Sequence, residues 1–210
     1  MSKRAYIYCA GSYSSDDFAL FKRIKITPND LVIAADGGYD AAFTVGITPD
    51  VVIGDLDSVR SVIPRHVPVI KHPHEKDETD LRLCVNYAID AGCDEIILLG
   101  VLGDRLDHSM SAMIELRYIL SKGANAMILS HRCRVYIIKD SINIKKDDYS
   151  KLSLIPANSS AEGVTTAGLR YPLSNSTLTQ TDNLGISNEF TAEVASVTLT
   201  KGELYVICEV

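Results

Sequence analysis

Leu31-Val-Ile-Ala-Ala-Asp36-Gly37-Gly38 and Val51-Val-Ile-Gly54-Asp55-Leu56-Asp57-Ser58 are short apolar runs that each break off at aspartate and glycine. Runs this short, rich in β-branched residues and bounded by turn formers, read as buried strands rather than helices. On either side the pattern repeats, with strands predicted at Ala5–Ala10, Pro68–Lys71, Glu95–Leu99, Ala126–Ser130 and Val135–Lys139. Helical patterns separate them at Ser14–Ile24, Tyr39–Val45, Thr79–Ala91 and Ser109–Leu120. Within the third of these, Leu81, Cys84, Val85, Ala88 and Ala91 recur at the spacing of one helix face. Strand–helix alternation predicts an α/β domain over residues 1–140, with a mainly parallel sheet covered on both faces.

Beyond Lys139 the pattern changes. Residues 141–150 are polar and read as a crossing segment, and no convincing long helix follows Lys151. Val197 and Leu199, a Lys201-Gly202 turn, then Leu204, Val206 and Cys208 alternate with period two and predict a β-hairpin. Residues 150–210 are therefore expected to form a second, all-β sandwich domain.

Hydrophobic residues make up 46% and charged residues 23% of the chain, which excludes a disordered tail or a collagen-like protein. Lys plus Arg number 21 against 27 Asp plus Glu, a net charge of −6. An acidic chain is a poor partner for nucleic acid, whose phosphates need a basic surface. The cysteines Cys9, Cys84, Cys93, Cys133 and Cys208 lack metal-site spacing and read as reduced thiols. The apolar run near the N-terminus is shorter than the about 7–15 residues of a signal peptide or the about 20 of a membrane span. A cytoplasmic protein with no membrane partner is expected.

The chemistry is announced by where the aspartates fall. Successive strands run into Asp36-Gly37-Gly38, Gly54-Asp55-Leu56-Asp57-Ser58, Lys76-Asp77-Glu78-Thr79-Asp80 and Gly100-Val-Leu-Gly103-Asp104-Arg105-Leu106-Asp107-His108. In an open parallel sheet the carboxyl ends of the strands share one edge, and ligands bind there. Asp36, Asp55, Asp57, Asp77, Asp80 and Asp107 are thus delivered toward one crevice. Taken singly, Asp-Gly-Gly is a turn signal and Asp77 or Asp80 a favourable charge at a helix start. Taken together, so many carboxylates repel unless a cation sits among them, and hard oxygen ligands beside phosphates suit Mg²⁺. Arg105 offers a planar fork for phosphate. Neither Gly-x-x-x-x-Gly-Lys-Ser/Thr nor Gly-x-Gly-x-x-Gly occurs, so a bound nucleotide would depend on metal and carboxylates.

These four motifs, in this order and spacing, closely resemble the thiamin pyrophosphokinase family, and Gly185-Ile-Ser-Asn-Glu-Phe190 is similar to its thiamin-side motif. The resemblance implies an N-terminal α/β domain, a C-terminal β-sandwich and a homodimer with active sites shared between subunits. It implies transfer of the pyrophosphoryl group of ATP to the hydroxyl of thiamin, giving thiamin diphosphate and AMP. By match of motif, Asp55, Asp57 and Asp80 would hold Mg²⁺, Arg105 would contact phosphate, and Asp107 would lie beside the thiamin hydroxyl as base or orienting group. Asp36, Gly37, Asp77, Thr79, His108, Ser187 and Asn188 would line the substrate site. Two departures stand out. Asp104 occupies a position where the family tends to have glycine, and is expected to face solvent or pair with Arg105 when ATP is absent. The chain has no Trp, which some members stack on thiamin, leaving Phe190 or a tyrosine for that role. Rival readings are a pyrophosphokinase for another small alcohol such as a hydroxymethyl pterin, a Mg²⁺-dependent glycosyl or nucleotidyl transferase, and a non-catalytic thiamin or nucleotide sensor.

Overall fold

The computed structural model describes residues 2–73, 75, 77–103 and 105–210; Lys76 and Asp104 lie outside the described residues. The chain divides into two compact units, Met1–His131 and Arg132–Val210.

The first unit alternates strands and helices. Its strands are β1 (Arg4–Tyr8), β2 (Leu31–Ala35), β3 (Val51–Gly54), β4 (Val69–Lys71), β5 (Glu95–Leu99) and β6 (Asn125–Leu129). They pair in parallel in the order β6-β5-β1-β2-β3-β4, so the winding direction reverses at β1. Ala5, Tyr6, Ile7 and Tyr8 are all buried, so successive side chains on both faces of β1 are covered. That is why these strands carry no polar alternation. The connecting helices are α1 (Ser15–Phe21), α2 (Gly38–Thr44), α3 (Asp80–Asp90) and α4 (Leu106–Ser121). Ser14 and Asp17 form a capping box that starts α1, and the Thr79 hydroxyl caps α3 by accepting from the Arg82 N–H.

One start differs from the sequence reading. Helix α4 begins at Leu106 rather than Ser109, which places Asp107 and His108 inside its first turn. The Ser109 hydroxyl explains the earlier start: it accepts from Gly103 N–H and donates to the Arg105 carbonyl, folding the loop onto the helix. The negative charge of Asp107 also favours that position through the helix dipole.

Tyr8 is fully buried beside Phe21, and its hydroxyl has no hydrogen-bond partner among the described residues. An unmet hydroxyl in an apolar cluster is destabilising. Tyr8→Phe should therefore stabilise the protein by ~1 kcal/mol and raise Tm by roughly 2–4 °C. A Tm lowered by the substitution in a thermal melt would show that the hydroxyl is satisfied in solution.

The second unit is a β-sandwich. One antiparallel sheet has the order β12 (Asn188–Glu189), β9 (Lys151–Pro156), β14 (Leu204–Glu209), β7 (Cys133–Ile138). The other has the order β11 (Ser176–Thr179), β10 (Ser160–Ala167), β13 (Val194–Thr198), β8 (Ser141–Lys145). Leu152, Leu154, Leu204, Val206 and Cys208 of the first meet Ile144, Ala161, Val164, Leu178, Ala195 and Val197 of the second in one apolar core.

Two expectations are corrected here. The segment 141–150 is not merely a crossing: Ser141–Lys145 is a strand that buries Ile144 and pairs along β13. Its polar composition misled because only the alternate residues face the core. Nor do β13 and β14 form a hairpin, because β13 lies between β10 and β8 while β14 lies between β7 and β9. The chain changes sheets at Lys201-Gly202, where Lys201 bridges to Glu162 of β10. Gly202 has φ +95°, and a Cβ there would lie 2.3 Å from the Ser160 carbonyl oxygen, so the corner requires glycine. Alternation around a glycine marks a turn; it does not say that the flanking strands pair with each other.

No helix among the described residues is long and apolar enough to cross a membrane. None of the five cysteines forms a disulfide, and four of them are buried.

Candidate active site

At the exit of β2, Asp36 adopts a left-handed backbone (φ +46°), and its N–H donates to the Ile53 carbonyl at 2.9 Å. The turn tightens at once into α2, and Gly38 permits it: a Cβ there would lie 2.0 Å from the Tyr8 carbonyl oxygen. The Asp36 side chain is consequently drawn inward, with the residue only 7% exposed. One carboxylate oxygen accepts from the Ser58 hydroxyl; the other is buried with no partner among the described residues.

Asp55 and Asp57 follow β3. Between them Leu56 is also left-handed, φ +68°, a conformation that costs a non-glycine residue roughly 1–2 kcal/mol. Its side chain packs with Val59 and Ile63 against Ala34, Tyr39, Val52 and Val67, which offsets the strain. The Asp57 N–H donates to Asp55 Oδ1 at 3.1 Å, closing a small turn. One carboxylate oxygen from each of Asp36, Asp55 and Asp57 lies within 4.8 Å of the others. These are hard anionic donors, and the unpartnered Asp36 oxygen is the kind of buried acceptor a cation completes, so the residues present fit Mg²⁺.

Asp80 was the expected third ligand; it stands in the first turn of α3 and is not in this group, whose third member is Asp36. Asp77 and Thr79 are exposed just before α3, with the Thr79 hydroxyl engaged in the cap. Gly37 lies where the loops after β1, β2 and β3 converge, its Cβ direction 3.2 Å from Ala10 Cβ and from Ser58 Cβ.

At the start of α4 the Arg105 guanidinium grips Asp107 through two bonds, Nε to Oδ1 at 3.2 Å and Nη2 to Oδ2 at 2.6 Å. Both side chains are well exposed, 69% and 65%. The hydrogen bond to Arg105 holds the Asp107 carboxyl below its ordinary range and raises the guanidinium in turn. Among the described residues Arg105 pairs with Asp107; Asp104, expected to face solvent or pair with it, lies outside them. His108 is exposed beside them.

In the second unit, Ser187 is left-handed (φ +58°), and its N–H donates to the Ser153 hydroxyl at 3.0 Å. Asn188 is buried, and its amide is spent on Tyr171, accepting from its N–H at 3.0 Å and donating to its carbonyl at 2.7 Å. These bonds tie the Asn188 side chain to the Tyr171 backbone. Glu189 is clamped between Lys151 at 2.7 Å and Arg170 at 2.8 Å, and these partners lower its carboxyl to about 2. Phe190 is 8% exposed and packs in the sandwich core.

The sequence reading missed Ser58, whose hydroxyl touches both Asp36 and Asp57. It also missed Asp17, which ties α1 to the end of β6 by accepting from His131 N–H at 2.9 Å and from the Ser130 hydroxyl at 3.1 Å. Burial opposes ionisation of Asp17, but its bonds to His131 and Ser14 prevail and lower it to about 2. Ser58 directly follows the Asp55-x-Asp57 pair, a signal that a hydroxyl was at hand.

Residues 24–128 match the family described as thiamin pyrophosphokinase, catalytic domain, and residues 139–204 match the thiamin pyrophosphokinase vitamin B1 binding domain. The thiamine pyrophosphokinase of Bacillus subtilis is 28% identical over 184 residues, covering 84% of this chain and 86% of its own. Thiamine pyrophosphokinase 1 of Oryza sativa subsp. japonica is 29% identical over 199 residues, covering 80% and 75%. The crystal structure of the Bacillus subtilis enzyme superposes with a TM-score of 0.86 at 24% identity, covering 99% of both chains. That of Geobacillus thermodenitrificans gives 0.82 at 22%, covering 99% and 97%. With a parallel sheet that gathers carboxylates at one edge and a sandwich behind the Ser187 turn, the chain belongs to the thiamin pyrophosphokinase family.

Proposed function

We infer that Asp36, Asp55 and Asp57 hold the Mg²⁺ that accompanies ATP, and that this group is the catalytic centre of a thiamin diphosphokinase. The family forms thiamin diphosphate from ATP, moving the pyrophosphoryl group to the thiamin hydroxyl and releasing AMP. The observation that carries the reading is the set of three carboxylates within 4.8 Å, one with a buried, unpartnered oxygen. When bound, Mg²⁺ would supply Lewis-acid stabilisation of the charge that develops on transfer.

The chain's own residues do the rest. Arg105 binds a phosphate oxygen pair with its planar fork. Asp107, ionised, accepts the proton of the thiamin hydroxyl at a carboxylate oxygen, or orients that hydroxyl. Asp80, Asp77, Thr79, Gly37 and His108 line the phosphate side from the strand exits of the first unit. Ser187 serves the thiamin side, in agreement with the vitamin B1 binding match over residues 139–204. The acidic crevice attracts the permanently cationic thiazolium. The reading extends to a homodimer, for which exposed Leu106, Met110 and Ile114, spaced one turn apart along α4, offer an apolar face to bury. Five cysteines without a disulfide among them are in keeping with a reducing, cytoplasmic setting.

The deciding experiment incubates the protein with Mg-ATP and thiamin and separates the nucleotides. AMP and thiamin diphosphate should appear mole for mole. ADP as the sole nucleotide product, or faster transfer to a hydroxymethyl pterin than to thiamin, would overturn the assignment.

A further inference from the structure

The loop that carries Asp55 and Asp57 has no regular structure between the end of β3 and Ile63. Three negative charges within 4.8 Å push it apart, and the left-handed Leu56 gives it strain to release. Something must hold it in the geometry observed. Leu56, Val59 and Ile63 anchor it from below by apolar contact. Besides the Ser58 hydroxyl, which bonds Asp36 and Asp57, directional restraint comes from two adjacent residues of α2. Asp40 accepts from Arg60 N–H at 2.9 Å with one carboxylate oxygen and from Ser61 N–H at 2.8 Å with the other. Tyr39 donates its hydroxyl to the Val62 carbonyl at 3.2 Å. Burial disfavours the Asp40 charge, yet the bonds from Ser61 and Arg60 keep its carboxyl below the ordinary range.

The helix that grips the loop begins two residues after Asp36. One short element therefore sets both sides of the carboxylate group: Asp36 through the turn into α2, and Asp55 and Asp57 through the grip on residues 60–62. We propose that Asp40, assisted by Tyr39, is a positioning residue that presets the metal-binding carboxylates before any cation arrives. It rests on the assignment of Asp36, Asp55 and Asp57 as metal ligands, and touches neither substrate nor metal itself. Residues that orient metal ligands without touching the ion typically change affinity by about 10- to 100-fold when removed. Asparagine at position 40 keeps the size but has only one acceptor, so one of the two loop N–H groups would face an N–H₂ donor.

The test titrates Mn²⁺, as a probe for Mg²⁺, into the nucleotide-free protein, reading free ion by electron paramagnetic resonance, with Tm measured alongside. Wild type should bind, Asp57→Asn should not, and Asp40→Asn should bind about 10- to 100-fold more weakly. In turnover assays the half-saturating Mg²⁺ concentration should rise in Asp40→Asn, while kcat returns close to wild type at saturating metal. Tyr39→Phe, which removes one bond and keeps the ring, should shift affinity in the same direction by less, and it decides the matter if Asp40→Asn does not fold. Mn²⁺ affinity within twofold of wild type in a folded Asp40→Asn protein would overturn the proposal, as would a lower kcat that metal does not restore. Absence of Mn²⁺ binding by wild type would overturn the ligand assignment instead.

Discussion

Asp57→Asn should lower kcat by about 10³-fold or more, because a metal held by one ligand fewer gives up several kcal/mol of transition-state stabilisation. Asparagine keeps the shape of the turn, so the fold should survive. Its stability should move the other way. Asp57 shares a 4.8 Å neighbourhood with Asp36 and Asp55, and without a cation that arrangement is repulsive. Asp57 is exposed, and removing its charge relieves like-charge interactions on the order of 1 kcal/mol each where bulk water screens them, more where it does not. The metal-free variant should melt at or above the temperature of metal-free wild type, and added Mg²⁺ should stabilise wild type more than the variant. Asp36→Asn should behave alike, with a smaller gain in stability because the Ser58 hydroxyl loses a charged acceptor. Calorimetric melts with and without Mg²⁺, beside steady-state rates, check both halves. Turnover like wild type in Asp57→Asn would place the metal elsewhere.

How much of this was legible in the sequence follows from what each feature depends on. Parallel strands buried on both faces write themselves as apolar runs, so Leu31–Ala35 and Glu95–Leu99 were read with their observed ends. The acidic residues at the strand exits were legible because β–α units deliver them to one edge whatever the details. Which three share an oxygen cluster was not. That depends on the left-handed turns at Asp36 and Leu56, and leucine in particular gives no sign of a positive φ. Asp40 looks like any acid on a helix until the loop folds back and presents Arg60 and Ser61 to it, twenty residues away. The bonds that tie the Asn188 amide to the Tyr171 backbone were equally illegible, since they join residues seventeen apart. The partner choice of β13 and β14 is likewise a tertiary matter, since period-two alternation is the same in a hairpin and across a sandwich corner.

Asp107→Asn should separate two quantities that usually move together: kcat should fall by about 10²- to 10⁴-fold, while nucleotide binding tightens. The reason lies in the pair at the start of α4. In the ligand-free protein Asp107 occupies one edge of the Arg105 guanidinium, its Nε and Nη2 donors, and a phosphate that takes a two-pronged contact on that edge competes with it. ATP must displace the carboxylate, and a well-exposed ion pair gives way at little cost, so removing the competitor should improve affinity by no more than about fivefold. Displacement also changes Asp107. While paired, its carboxyl is held low by the hydrogen bond to Arg105. Once Arg105 turns to phosphate that hold is gone, and Asp107 titrates at a higher pH and is a better proton acceptor. A base is lost as pH falls through its pKa, so the acid limb reported by kcat, which reflects the nucleotide complex, should lie at higher pH than the limb reported by kcat/KM for ATP, which reflects free enzyme. Arg105→Lys cannot form the two-pronged contact with either partner, and should weaken nucleotide binding while bringing the two limbs together. Calorimetric titration with a non-hydrolysable ATP analogue and pH profiles of both variants test the exchange. Weaker nucleotide binding in Asp107→Asn, or coincident acid limbs in wild type, would mean that Arg105 and Asp107 stay paired through the reaction and that phosphate is held by other groups.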